Sequence, residues 1–345
     1  MRVKIHTHSR EWDRFVREDP GAAYGHLFGW RRVIEAAYGH KPLYLAAAED
    51  RGSEKIRAVL PLFRFKRPFC RPEWISIPFF DQAGILARDE EAGRFLLEKA
   101  GAILAGKGEG RLSLRQDRGF DASALAMDGR RPEIFRGKIG LSIRLGPGPQ
   151  KMEALFRSKL RSQVRKGLKN GLTWDIGKHR LLNPFYRVLS RNMRDLGSPV
   201  HSKKFFKGVL ACFPGQAFIC VVYFKGMPVA ASFMFRFKNR IANPWASSVR
   251  EFRHLNANMV LYWQMIRFAC NLGLDVFDMG RSSRGASTHR FKEQWGPEET
   301  PLSWYTWTLG REKSIRETLS ISPWKTLPLW GANLAGPVVR KYISL

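Results

Sequence analysis

The chain has 345 residues, 59 of them Lys or Arg against 30 Asp or Glu, for a net charge of +29 at neutral pH. That length corresponds to about two domains, and 44% hydrophobic residues beside 26% charged ones exclude wholesale disorder. The positive excess therefore belongs to the surface and points to polyanionic partners: phosphate, nucleic acid or an acidic membrane face.

In chain order, Glu11–Glu18 reads as a short helix and Phe28–Tyr38 as a longer one, with Val33, Ile34, Ala37 and Tyr38 on one stripe and Gly39 as its stop. Extended segments follow at Leu43–Ala48, Ile56–Lys66 and Glu73–Phe80, the first two joined by a turn at Asp50–Ser53. Asp89–Leu104 is helical and Arg111–Arg115 alternates as a strand. The Gly- and Pro-rich stretch Arg130–Pro149, holding one strand at Leu141–Leu145, is the expected domain boundary.

The second half opens with an expected helix over Lys151–Asn170. Phe156, Leu160, Val164 and Leu168 form an apolar stripe, Arg157, Arg161, Arg165 and Lys169 a basic stripe beside it, and Gly171 follows as a C-cap. Next come a strand at Leu172–Ile176, helices at Asn183–Leu196 and Lys203–Cys212, and strands at Ala217–Phe224, Pro228–Phe237 and Ile241–Ser247. Helix Asn256–Asn271 leads to strands Val276–Met279 and Leu302–Leu309. The similar element order of the two halves suggests a duplicated fold. Residues 311–345 form an amphipathic, Pro-broken tail carrying Trp324 and Trp330, which suits either packing between domains or contact with a membrane surface.

Several chemistries lack their residues. The N-terminal MRVKIHTHSREWDR has no apolar stretch, so no signal peptide is expected. The longest apolar run, Ala217–Phe224, falls far short of a membrane span. A cytoplasmic location is expected, and the basic surface is compatible with peripheral contact at the inner face of the membrane. Cys70, Cys212, Cys220 and Cys270 form no C-x-x-C pair and read as reduced residues, mostly of the core. His6 and His8 lack a third ligand, so no metal site is expected. There is no P-loop, and Gly280–Gly285 has Arg284 where a nucleophile elbow needs Gly.

Two stretches concentrate candidate chemistry. Arg253–Asn258 precedes the helix beginning at Asn256 and has the R-x-x-G-x-G/A spacing of a pyrophosphate-binding loop, with Asn256 and Asn258 in place of the glycines. Backbone N–H groups at a helix N-terminus bind phosphate oxygens; the alternative is that Asn256 simply caps the helix. Phe277–Gly296 leaves a strand, turns at Gly280 and gathers Arg281, Ser282, Arg284 and Arg290, a set suited to an anionic group.

These stretches carry a resemblance. Arg253–Asn258, Tyr262-Trp263, Phe277–Ser282, Phe291-Lys292 with Trp295-Gly296, and Pro301-Leu302 resemble the FemAB family of the GNAT acyltransferase superfamily, and in particular its exosortase-associated, exopolysaccharide-related subgroup. The similarity extends through Phe28–Trp30, Tyr38–His40, Leu60–Leu62, Ser76–Phe79, Lys159–Gly171 and Leu196–Val200. Ala83 and Ala286-Ser287 depart from the family pattern.

The resemblance implies an α/β (α+β) protein of two tandem GNAT-like domains, each a mixed, largely antiparallel sheet flanked by helices, at 1–149 and 150–310 ahead of the tail. It implies transfer of an acyl or aminoacyl group to an amine of an anionic cell-envelope precursor, lipid-linked or nucleotide-linked and related to peptidoglycan or exopolysaccharide. The donor would be acyl-CoA or aminoacyl-tRNA, which makes tRNA a candidate partner, and no tightly bound cofactor is implied. Lys292 matches a lysine near the reacting centre, where a fixed ammonium would stabilise an oxyanion; otherwise it is a surface lysine. Asp278 is a candidate base, or preferably an orienting group for Arg281. Arg253, Asn256, Asn258, Arg281, Ser282, Arg284 and Arg290 are candidate donor ligands. Asp81 and Gln82 either line the acceptor side or are turn residues. The rival readings are a non-catalytic RNA- or polyanion-binding protein and a scaffold in an envelope-polymer complex.

Overall fold

The computed structural model describes residues 1–49, 55–68, 70–116, 120–127, 129–309 and 322–344. The expected turn at Asp50–Ser53 and the first part of the expected tail, 311–321, lie outside the described residues.

Strands and helices follow one another in the same order twice. The first round is β1 (Arg2–Ile5), α1 (Ser9–Glu18), α2 (Trp30–Tyr38), β2 (Lys41–Ala48), β3 (Ile56–Phe65), β4 (Glu73–Ile75), the short β5 (Leu86–Ala87), α3 (Glu90–Gly106) and β6 (Arg111–Gln116). After β7 (Glu133–Arg144), α4 (Pro149–Leu155) and α5 (Ser158–Lys169) comes the second. It runs β8 (Leu172–Gly177), α6 (Leu182–Asp195), α7 (Lys203–Cys212), β9 (Ala217–Phe224), β10 (Met227–Phe237), β11 (Arg240–Ser248), α8 (Ala257–Asn271) and β12 (Val276–Ser282). Then follow α9 (Ser287–Glu293), β13 (Glu298–Thr308) and α10 (Leu329–Arg340).

The described residues form two units, 1–138 with 301–309 and 341–344, and 139–300 with 322–340. In unit 1, β1 to β4 pair antiparallel in sequence order, β6 joins β4 in parallel, and β13 joins β6 antiparallel. In unit 2, β8 to β11 do the same, β12 joins β11 in parallel, and β7 joins β12 antiparallel. Unit 1 thus takes its last strand from the chain that follows unit 2, and unit 2 takes its last strand from the stretch just ahead of α4. The divisions fall inside β7, between 138 and 139, and inside β13, between 300 and 301. Hydrogen bonding of Ile143 and Arg144 opposite Phe277 and Val276 commits the C-terminal half of β7 to unit 2.

Alternation along the central strands sets up helical layers on both faces. In unit 1, Leu43, Leu45, Leu60 and Leu62 pack with Leu96, Leu97 and Leu104 of α3. Tyr44, pointing the other way, meets Trp12 and Phe28 at ring centroid distances of 4.8 and 5.0 Å. In unit 2, Cys220, Val222 and Met234 share a core with Val260, Leu261 and Met265 of α8. On the opposite face Phe233 packs with Phe185 and Phe206 at 5.6 and 5.3 Å. Cys220 and Cys270 lie in the core, Cys70 and Cys212 are half-buried, and burial pushes the Cys220 thiol up. Among the described residues, no helix is long and apolar enough to cross a membrane.

Two expected elements are shorter. The strand expected over Glu73–Phe80 ends at Ile75, because the Ser76 hydroxyl turns to accept from Arg115 N–H at 2.9 Å. The single helix expected over Lys151–Asn170 breaks at Phe156 and Arg157, whose ψ angles of 145° and 146° are extended. The break turns Phe156 into the core, edge-on to Trp263 and Trp295 at 5.9 and 5.4 Å, and leaves Leu155 72% exposed.

Two outcomes follow for stability. A Cβ at Gly167 would lie 2.6 Å from Val260 Cγ2 and 3.3 Å from the Leu255 carbonyl, so Gly167→Ala should push α5 off the start of α8. Chemical denaturation should show a loss of about 1–3 kcal/mol. Burial lowers the His40 imidazole to about 4 and holds His201 well below its ordinary 6.5, Arg340 adding to the second effect. Both are then neutral when folded at neutral pH, and the unfolded chain takes up protons below 6.5 that the folded one refuses. Stability should therefore fall as pH drops through 6.5, with the His40 contribution levelling off below about 4; His40→Phe should flatten that part of the profile.

Candidate active site

The parallel pair β11–β12, joined through α8, generates the site. Its parallel register covers Arg240–Ala242 opposite Val276–Asp278, and both strands then run on, to Ser248 and Ser282. In such a unit the connecting helix begins beyond the carboxyl end of the first strand, where its N–H groups and positive dipole end face a crevice. Here a 3₁₀ turn, Arg250–Leu255, delivers the chain to Asn256, whose φ of 60° and ψ of 32° are left-handed. Asn256 N–H bonds the Arg253 carbonyl at 3.1 Å, and its own carbonyl accepts from Met259 at 2.9 Å and Val260 at 3.2 Å. Its side chain makes no capping bond, which corrects the capping alternative: Asn256 works through its backbone, as glycine would.

A cavity of about 500 Å³ opens there. Arg253, Asn256 and Asn258 line it at the head of α8, and Ser287, Thr288 and Lys292 of α9 line another wall. Lys292 is only 8% exposed, which corrects the surface-lysine alternative. Its ammonium donates to the carbonyls of Arg281 at 2.8 Å and Gly280 at 3.2 Å. Gly280 is itself left-handed, with φ 71°, and donates its N–H to Asp278 Oδ1 at 2.8 Å. Asp278 thereby shapes the turn that supplies the carbonyls to Lys292. Below them, Tyr262 stacks on Trp295 at 5.8 Å and meets Phe291 at 4.9 Å, and burial pushes its phenol up, opposed by a hydrogen bond with Asn243.

Of the residues singled out from the sequence, Arg253, Asn256, Asn258 and Lys292 meet in the cavity. Asp278, Arg281, Ser282, Arg284 and Arg290 do not line it. Ser282 is buried, Arg290 is exposed on α9, and Arg284 forms an exposed ion pair with Glu299 at 2.9 Å. Asp81 belongs to unit 1, where its carbonyl accepts from Trp304 Nε1 at 3.3 Å. Sequence reading missed Gln163, Asn192, Ser247 and Tyr262, which also line the cavity. Asn192 Nδ2 donates to Ser247 Oγ at 3.1 Å, and Gln163 Oε1 is buried without a hydrogen-bond partner among the described residues. The available signals were slight: Gln163 is the uncharged residue between Lys159 and Lys166 on one helix face, and Tyr262 carried part of the family resemblance.

Histidine at 289 brings a further cluster together. Ligand-capable atoms of His289, Glu293 and Glu299 lie within 4.8 Å of one another, a set the sequence did not suggest. His289 Nε2 is 2.8 Å from Glu299 Oε1, and that contact, with the Arg284 pair, holds the Glu299 carboxyl below its usual range. The arrangement reads as an ion-pair cluster fastening α9 to β13.

Comparison with known proteins bears on this geometry. Residues 154–293, which include α5, α8, α9 and the cavity, match the family model described as an acetyltransferase (GNAT) domain. The matched stretch lies wholly within unit 2. Among solved structures, the crystal structure of FemX is 14% identical, covering 90% of this chain and 98% of that one, with a TM-score of 0.68. The C-terminal domain (DUF2156) of a putative lysylphosphatidylglycerol synthetase from Agrobacterium fabrum is 12% identical over 86% and 91%, with a TM-score of 0.56. A tandem GNAT protein from the clavulanic acid biosynthesis pathway is 9% identical over 90% and 100%, with a TM-score of 0.55. At these identities the likeness is one of fold, and it agrees with the repeated topology of the two units. Comparison with curated protein sequences finds no match.

The left-handed Asn256 yields a direct expectation. Asn256→Gly should leave stability unchanged or slightly raised, whereas Asn256→Ala should lose about 1 kcal/mol, since alanine lacks the tolerance of asparagine for that backbone region. Thermal melting of the two variants side by side checks the order.

Proposed function

We propose that the chain transfers an acyl or aminoacyl group to an amine in the cavity at the head of α8. The observation that carries this reading is the Lys292 ammonium, held by the Gly280 and Arg281 carbonyls at the wall of a cavity that the α8 N-terminus also lines. The acceptor amine attacks the donor carbonyl carbon, a C–N bond forms, and the carbonyl oxygen becomes an oxyanion. Collapse breaks the C–S bond of a thioester or the C–O bond of an ester; the thiol or hydroxyl leaves with a proton, and the amine loses one. Lys292 stabilises the oxyanion at no cost in reorganisation, because its position is already fixed. Arg253 and the first-turn N–H groups of α8 hold a donor phosphate. Asp278 is a positioning residue.

The donor in this reading is acyl-CoA or aminoacyl-tRNA. The acceptor is an anionic cell-envelope precursor, lipid- or nucleotide-linked and related to peptidoglycan or exopolysaccharide, met on the cytoplasmic side. The positive net charge and the sequence resemblance to the exosortase-associated FemAB subgroup support that choice. A second reading, polyanion binding without catalysis, rests on α5 and the residue before it, where Arg157, Lys159, Arg165, Lys166 and Lys169 are exposed. If nothing binds the cavity, a scaffold role gains instead.

Native mass spectrometry with acetyl-CoA, longer acyl-CoA and charged or uncharged tRNA separates these. Selective binding of one acylated donor is expected; equal affinity for charged and uncharged tRNA would favour the pure binder. With the donor in hand, Lys292→Met should retain it but lower kcat by about 10²–10³-fold. Turnover at the wild-type level in that variant would remove Lys292 from the mechanism.

A further inference from the structure

Helix α10 presents an apolar stripe to solvent. Its inner face is fixed by Gly336, where an added Cβ would lie 3.0 Å from Val200 Cγ1 and 3.1 Å from Val200 N, and by buried Ala332. On its outer face Trp330, Leu334 and Val338 are 73%, 75% and 61% exposed. Their spacing of four places them in one row along the helix. The helix bears no charge before Arg340, and 322–344 contains no acidic residue.

The border of this stripe is cationic. Lys325 is exposed ahead of the helix, and Arg340 at its end bonds His201 at 3.1 Å. From His201 the chain enters α7, which carries exposed Lys203, Lys204 and Lys207, and 197–212 again contains no acid. An apolar row with a terminal tryptophan, bounded by lysines, matches the interface of an anionic bilayer: apolar side chains enter the acyl boundary, indole sits at headgroup depth, and ammonium groups meet lipid phosphates. At twelve residues the helix is too short to span.

We propose that α10 docks the protein flat on an anionic lipid surface, with Trp330, Leu334 and Val338 inserted and Lys203, Lys204 and Lys325 over the headgroups. This docking is independent of acyl transfer and stands or falls without it.

Sedimentation of the full chain with phosphatidylcholine vesicles, alone or mixed with phosphatidylglycerol, tests the proposal. Binding should require the anionic lipid, weaken with added salt, and fall at least about tenfold in Trp330→Ser/Leu334→Ser/Val338→Ser. Because the three side chains are exposed, the melting temperature should not change; should the triple variant fail to fold, Trp330→Ser alone should still weaken binding. Lys203→Glu/Lys204→Glu should abolish the preference for anionic lipid. Undiminished binding by the apolar variants, or no binding by the wild type, would overturn the proposal. So would a concentration-dependent dimer in light scattering that the triple variant dissolves, since a second copy would then cover the stripe.

Discussion

Everything at the candidate site descends from a short parallel pairing between β11 and β12. Two strands running the same way cannot be joined by a tight turn, so the chain must cross over, and α8 is that crossover. The crossover fixes where the helix begins, and Asn256 supplies the backbone reversal that turns its N-terminus toward the cavity. On the other strand, Asp278 bonds the Gly280 N–H, and the carbonyls of that turn seize Lys292. A helix N-terminus and a buried ammonium are thereby brought to one cavity by backbone geometry, with few side-chain bonds needed to hold them.

Much of this architecture was legible in the sequence. The strands of the second half, from Ala217 to Ser248, announce themselves by apolar β-branched and aromatic runs between turn residues, and the helix after Asn256 by its length and continuous hydrophobicity. What escaped was decided elsewhere in the molecule. The stripe at Phe156, Leu160, Val164 and Leu168 keeps its spacing across a break, so periodicity could not show that Phe156 leaves the helix to meet Trp263 and Trp295. The seven residues of α9 are too few and too polar to read as a helix, although they carry Lys292.

The site divided along the same line. Arg253, Asn256 and Asn258 were visible because their spacing has chemical meaning, and Lys292 because the family resemblance of its motif pointed to it. Gln163, Asn192 and Ser247 come from α5, α6 and β11, and only the packed fold brings them to one wall. The converse error has the same origin: Arg281, Arg284 and Arg290 are close to Lys292 in sequence, yet none of them lines the cavity, and Arg284 is engaged by Glu299.

The late arrival of unit 1's last strand bears on how the chain can be made and cut. During synthesis from the N-terminus, unit 1 stays one strand short until Thr308 has emerged, so its sheet edge at β6 waits through the production of nearly all of unit 2. An uncovered strand edge is a template for mispairing, and delayed closure lengthens its exposure. A fragment cut at 149/150 carries the same defect permanently: the C-terminal piece loses β7 and bares β12, the strand whose turn holds Lys292. The two halves repeat one fold, yet unit 1 is finished only by chain that follows unit 2, so no single cut leaves both sheets whole.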